Sequence, residues 1–122
     1  MKNTLRIKKD KVFKYIFKKG DFYKGDYVIV HSCKTKFSEE DKGGVNFFAV
    51  CVSKKNGNSV IRNRLKRYAR AVYTEQETKL KSGYNYVIMY KKDTIGKEVN
   101  FNLIKEDIIK CLKELDLYEE NN

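Results

Sequence analysis

Apolar residues recur along this chain in short runs separated by polar punctuation, and the spacing within each run predicts its conformation. Residues 27–33, Tyr-Val-Ile-Val-His-Ser-Cys, are rich in β-branched and aromatic side chains and read as a strand. Residues 45–52, Val-Asn-Phe-Phe-Ala-Val-Cys-Val, and 84–90, Tyr-Asn-Tyr-Val-Ile-Met-Tyr, read the same way, the latter entered through Ser82 and Gly83. A weaker signal places a short strand between Gly20 and Tyr27. Other segments show helical spacing. Asp10 is placed to cap a helix over about 11–18, and Gly20 stands where a helix end takes a left-handed residue. After Asn56, Gly57 and Asn58 a helix runs from about Ser59 to at least Tyr73, with Leu80 as its outer limit. A last helix begins near Asn100 and sets Phe101, Ile104, Ile108, Leu112 and Leu115 on one stripe. Residues 36–44 are polar, end in two glycines and form a connecting loop. The order helix, strands, helix, strand, helix predicts an α/β (α+β) sandwich of mixed order.

A length of 122 residues fits a single domain over 1–122 with one modest core. No apolar run approaches the roughly 20 residues of a membrane span. The N-terminus lacks the apolar stretch of a signal peptide, so a soluble cytoplasmic protein is expected. Cys33, Cys51 and Cys111 are far apart, odd in number and set in apolar runs. That pattern fits buried free thiols, not a disulfide framework or a zinc site, and no cofactor is expected on the protein alone.

Charge changes the picture. The net charge is +11, and it is concentrated. Residues 1–25 carry nine Lys/Arg against two acids, and residues 53–73 carry seven Lys/Arg and no acid. The remainder is slightly acidic, including the tail that carries Glu119 and Glu120. Two basic segments on a near-neutral body are the footprint of a polyanion binder; simple solubility and an anionic membrane surface are the alternatives.

The middle helix carries the strongest signal. At about 100° per residue, Ile61, Leu65, Tyr68 and Val72 share a narrow arc with Ala69 at its edge, and this stripe is expected to pack on the sheet. Arg62, Asn63, Lys66, Arg67 and Arg70 fan over the neighbouring solvent side, and Arg64 falls on the other flank. Like charges at i and i+4 repel by a few tenths of a kcal/mol per pair, and no nearby acid relieves Arg62–Lys66 or Lys66–Arg70. Phosphates would supply the missing anions, since Arg holds them with paired hydrogen bonds. Lys54, Lys55 and the turn before the helix add charge beside a helix N-terminus that suits an anion. No triphosphate-cradling GxxxxGK[ST] motif is present.

The run 52–67, Val-Ser-Lys-Lys-Asn-Gly-Asn-Ser-Val-Ile-Arg-Asn-Arg-Leu-Lys-Arg, resembles the signature of the bacterial ribonuclease P protein family. Arg62, Asn63, Arg64, Lys66 and Arg67 match its hallmark directly. Leu5-Arg-Ile-Lys-Lys followed by Phe13, Phe17 and Gly20 is similar to the family's opening. One departure stands out: Phe47 and Ala49 occupy positions where the family usually carries an Arg and a Gly.

In the first helix Val12, Phe13, Tyr15, Ile16 and Phe17 spread over about 200°, wider than one packed face needs. Phe13 and Phe17 share a direction, with Lys14 and Lys18 beside them. Aromatic faces interleaved with Lys suit single-stranded RNA; plain core packing is the alternative. The resemblance implies a cleft between this helix and the sheet that receives the leader of precursor tRNA, lined by Phe13 and Phe17. His31, the single histidine, has no catalytic partner in sight. Strand alternation sets it with Ile29 and Cys33, either as a cleft contact or as a structural, hydrogen-bonded histidine.

The resemblance further implies a left-handed β-α-β crossover containing the signature helix. It also implies an RNA subunit that performs the hydrolysis with magnesium, and a protein subunit with no catalytic or metal-binding residue. The partners so implied are the ribonuclease P RNA and precursor tRNA, with no membrane and no DNA. Two rivals stand beside this reading: a ribosomal-type RNA-binding module, and a self-sufficient nuclease.

Overall fold

The computed structural model describes residues 4–35, 45–94 and 99–119. The expected loop over 36–44 and the acidic residue at 120 lie outside them. Five strands form one mixed sheet: β1 (Thr4–Arg6), β2 (Asp21–Lys24), β3 (Val28–Lys34), β4 (Asn46–Cys51) and β5 (Tyr84–Tyr90). Their spatial order is β1-β4-β5-β3-β2. β1, β4 and β5 run parallel, and β3 pairs antiparallel with both β5 and β2. Helix α2 (Ser59–Gln76) carries the chain from β4 to its parallel neighbour β5. Helix α1 (Asp10–Lys19) packs on one face of the sheet, while α2 and α3 (Phe101–Glu114) cover the other.

Strand alternation decides which side chains enter which layer. Val28, Val30, Phe48, Tyr86, Ile88 and Tyr90 face α2 and α3, meeting Leu65, Val72 and Tyr73 from α2 and Ile104, Ile108 and Leu112 from α3. The Tyr90 hydroxyl donates to the Leu65 carbonyl at 2.7 Å and pins α2 over β5. The layer under α1 is thinner. Ile16 is fully buried against Ile7 and Val87, with Phe13, Phe47 and Ala49 packed around them. Register lays out rows across this face. Cys51, Met89, Ile29 and Lys24 lie side by side, and Ala49, Val87, His31 and Phe22 form the next row. A helix of 10 residues cannot cover both rows, and the first stays half-open.

Several local expectations are corrected. Asp10 does not cap α1: Lys9 holds the cap position and Asp10 is the first helical residue, where its charge still suits the helix N-terminus. Gly20 is extended (φ −84°, ψ 176°), not left-handed. Glycine is needed there for space, because a Cβ would sit 2.4 Å from the Ser32 carbonyl oxygen and 2.7 Å from that of Ile16. The buried stripe of α2 is Leu65, Ala69, Val72, Tyr73 and Gln76, whereas Ile61 is 37% exposed. The helix is rolled toward Ala69 because α3 packs on its flank, with the rings of Tyr68 and Phe101 5.8 Å apart. Of the thiols, Cys111 is fully buried, and burial pushes its pKa up to about 12. Cys33 and Cys51 are only half-buried, and none of the three forms a disulfide.

β1 has no counterpart in the hydrophobic pattern. It is held by the Thr4 hydroxyl, which bonds the Tyr73 hydroxyl at 2.8 Å and donates to the Glu77 carboxylate. At the other edge, Asp107 of α3 reaches under the turn between β2 and β3. Its carboxylate accepts the backbone N–H groups of Asp26, Tyr27 and Val28 at 2.8, 2.8 and 3.0 Å.

Candidate nucleic-acid interface

The approach to α2 is rigidly built. Ser53 and Asn56 form a reciprocal capping box around a single 3₁₀ turn, Lys54–Asn56, which presents Lys54 and Lys55 to solvent. Asn56 is buried and also donates to the Lys91 carbonyl at 2.8 Å. Gly57 follows with φ +131°, a backbone region that L side chains rarely adopt. Asn58 then caps α2, its side-chain oxygen accepting from the Ile61 N–H at 3.0 Å.

From this start the cations of α2 emerge in two grades. Asn63, Arg64, Arg67 and Arg70 are exposed. Arg62 and Lys66 are half-buried, because the roll of the helix brings them to the margin of the packed stripe. The Nε of Arg62 is enclosed without a hydrogen-bond partner among the described residues. Among the described residues the carboxylates that pair do so with other cations: Asp116 with Lys81, Glu75 near the end of α2 with Lys105, and Asp26 and Asp107 with Lys110. Among the described residues, none of Lys54, Lys55, Arg62, Arg64, Lys66, Arg67 and Arg70 is matched by a carboxylate. Such a surface can bind a chain of phosphates without first breaking internal ion pairs.

The second surface lies under α1. Phe13 and Phe17 are neighbours, with centroids 6.3 Å apart, and Phe17 meets His31 edge-on at 4.7 Å. The roles of the two rings differ. Phe13 is half-buried in the packing around Ile16, whereas Phe17 is 42% exposed. Lys14 and Lys18 are exposed on the same helix. His31 is half-buried, and burial holds its pKa below the ordinary imidazole value, which favours the neutral ring. Phe22, not singled out from the sequence, lies on its far side at 5.7 Å and is 56% exposed. Its signal was available in the weak β2 strand, whose alternation sets Phe22 and Lys24 on one face.

A groove of about 830 Å³ runs from the basic helix to β2. Ile29, Cys51 and Met89 are part of its apolar floor, and Lys24, Lys66, Lys91 and Lys92 bring charge to its walls. Lys66 therefore belongs both to the basic helix and to the groove, and the groove floor is the sheet row next to the one that carries His31 and Phe22. Alternation had already set Ile29 beside His31; Met89, Lys91 and Lys92 carried no local signal, since only the register of β5 brings them here. Phe47, the departure from the usual Arg, is half-buried in the packing under α1 and adds no charge to this face. Among the described residues no group of three or more His, Cys, Asp or Glu side chains could hold a metal ion, and no helix is long and apolar enough to cross a membrane.

Comparison with known proteins places this surface in a family. The sequence model of the family described as Ribonuclease P matches residues 1–116. The chain is 33% identical over 113 residues to the ribonuclease P protein component of Listeria monocytogenes, covering 93% of this chain and 89% of the relative. It is 30% identical over 120 residues to that of Bacillus pumilus, covering 98% and 95%. In structure it is similar to the RNase P protein of Staphylococcus aureus, with a TM-score of 0.80 at 24% identity over 93% of this chain and 97% of the other. The RNase P protein of Thermotoga maritima gives 0.76 at 23% identity over 89% and 96%, and these two likenesses speak to the fold. With its five-stranded sheet, its crossover helix and its unpaired cations in place, the chain belongs to the bacterial ribonuclease P protein family, the protein component of a ribonucleoprotein endoribonuclease.

Proposed function

We propose that the cationic face of α2 and its preceding turn bind the RNA subunit of ribonuclease P. In this reading the groove and the aromatic row under α1 receive the single-stranded leader of precursor tRNA. Lys54, Lys55, Arg62, Asn63, Arg64, Arg67 and Arg70 contact the RNA subunit, and Lys66 sits where the two ligands meet. Phe13 shapes the cleft from within, while Phe17 and His31 offer ring surface to bases, and Lys14 and Lys18 offer charge to the leader's phosphates. The hydrolysis belongs to the RNA subunit and its magnesium ions; no protein residue acts as acid, base or metal ligand. The complex works in the cytoplasm, without a membrane or DNA partner.

The observation that carries this reading is the set of cations left without carboxylates on α2, continuous through Lys66 with an apolar, lysine-walled groove. Groove and row suit different parts of a nucleotide: the apolar floor and the neighbouring rings a base, the lysines its phosphate. Reconstitution with the cognate RNA subunit tests it. The assembled enzyme is expected to bind precursor tRNA more tightly than mature tRNA, and the protein alone to cleave neither. Equal affinity for both would favour the ribosomal-type rival; cleavage by protein alone would favour the nuclease.

A further inference from the structure

We infer that Phe22 is an additional stacking platform that extends the leader track to the β2 edge of the sheet and engages a nucleotide farther from the cleavage site than the one at Phe17. The inference rests on the leader reading above and adds to it a residue and a reach.

Four rings make one row from helix to sheet edge. Phe13 lies 6.3 Å from Phe17, Phe17 lies 4.7 Å from His31, and His31 lies 5.7 Å from Phe22. Phe22 closes the row on β2, and the partner of β2 is β3 on its inner side. At 56% exposure, Phe22 is more open than any other aromatic ring among the described residues. A large apolar side chain gains little by standing in water on an edge strand, where bare apolar surface invites unwanted pairing. The core does not need it either, since neither packed cluster includes Phe22.

Charge selects the occupant. Lys24 projects from the same face of β2 and walls the groove, and the exposed Lys14 and Lys18 stand on α1. Phe22 is thus an open ring beside cations, the combination that holds a stacked base and its phosphate without reading its identity. Phe17 meets His31 edge-on, so no base inserts between those two; the open surface of Phe22 is where the row can accept one more.

The test uses the assembled enzyme with precursor tRNAs whose leaders grow one nucleotide at a time, with dissociation constants measured for wild type, Phe22→Ala, Phe22→Trp and Phe17→Ala. For Phe22→Ala we expect normal binding of short leaders and an affinity loss of about tenfold once the leader reaches Phe22, with Phe22→Trp restoring it. Phe17→Ala should lose affinity at a shorter leader. If Phe17→Ala shows its loss and Phe22→Ala shows none at any length, the inference fails and the leader reading stands. If neither variant responds to leader length, the leader reading itself fails. Sedimentation of free wild type and Phe22→Ala adds the remaining outcome: a dimer that Phe22→Ala dissolves would mark the patch as a contact between copies and overturn the inference.

Discussion

Phe17 of α1 and His31 of β3 meet edge to face, ring centroids 4.7 Å apart, with the phenylalanine 42% exposed. A ring that is part buried against Phe13 and His31 and part open to water contributes modestly to the fold and keeps a surface for a ligand. Phe17→Ala is therefore expected to cost only about 1–2 kcal/mol of stability, since the ring is only partly removed from water on folding. Leader binding should fall by about 1–3 kcal/mol, the usual worth of one stacked base. Urea denaturation beside precursor tRNA affinity separates the two effects. Phe13→Ala is the contrasting variant: Phe13 packs against Ile16, so its loss should register in the denaturation midpoint as well.

His31 also makes stability depend on pH. Burial lowers its pKa from the ordinary 6.5, so the unfolded chain takes up a proton that the folded chain resists. Stability from this source is complete above pH 6.5, declines as the pH falls below that value, and is fully lost below the lower pKa of the folded state. His31→Gln removes the titration. Between pH 7.5 and about 5, the wild-type protein should lose more unfolding free energy than the variant; equal losses would mean that the imidazole is freely solvated.

Salt dependence tests the α2 face. If about five phosphates are neutralised, a slope near −0.7 per contact on single strands predicts roughly a 100-fold loss of affinity between 50 and 200 mM salt. Arg67→Ala and Arg70→Ala, both exposed and without carboxylate partners, should each lower the slope by about one contact while leaving the fold unchanged. A flat salt response would remove the electrostatic basis of the proposed function.

What the sequence disclosed and what it hid have physical reasons. The strands at 28–34, 46–51 and 84–90 were legible because they are short runs rich in β-branched and aromatic side chains, buried on the α2/α3 face and part-buried on the other. The cationic fan on α2 was legible because helical spacing alone orders it. The roll of α2 was not: Ile61 is as apolar as Leu65, and the burial of Ala69 depends on packing against the sheet and α3, which local spacing does not encode. β1 escaped because three residues held by a hydroxyl bonded to Tyr73 and Glu77 leave no hydrophobic pattern. The groove escaped for a third reason. Its floor joins residues from β3, β4 and β5, and its walls take lysines from three separate stretches, so it exists only once the strand order is known.

The buried Asp107 supplies the last test, because it holds the turn that carries Phe22 and Lys24 into His31. Three backbone N–H groups converge on its carboxylate, and Gly25 sits so close that a Cβ there would lie 2.5 Å from one carboxylate oxygen and 2.6 Å from the other. Asp107→Ala removes the acceptor of all three donors, leaves the buried Val28 N–H unpaired and should cost about 1–3 kcal/mol. Gly25→Ala should also destabilise, by forcing the carboxylate out of the turn. If both act through the same contact, their effects will not add: Gly25→Ala should cost markedly less once Asp107 is already alanine, because the atoms it strikes are gone. A double-mutant cycle from urea denaturation measures this coupling. Simple additivity would mean that glycine is needed at position 25 for some reason other than room for the Asp107 carboxylate.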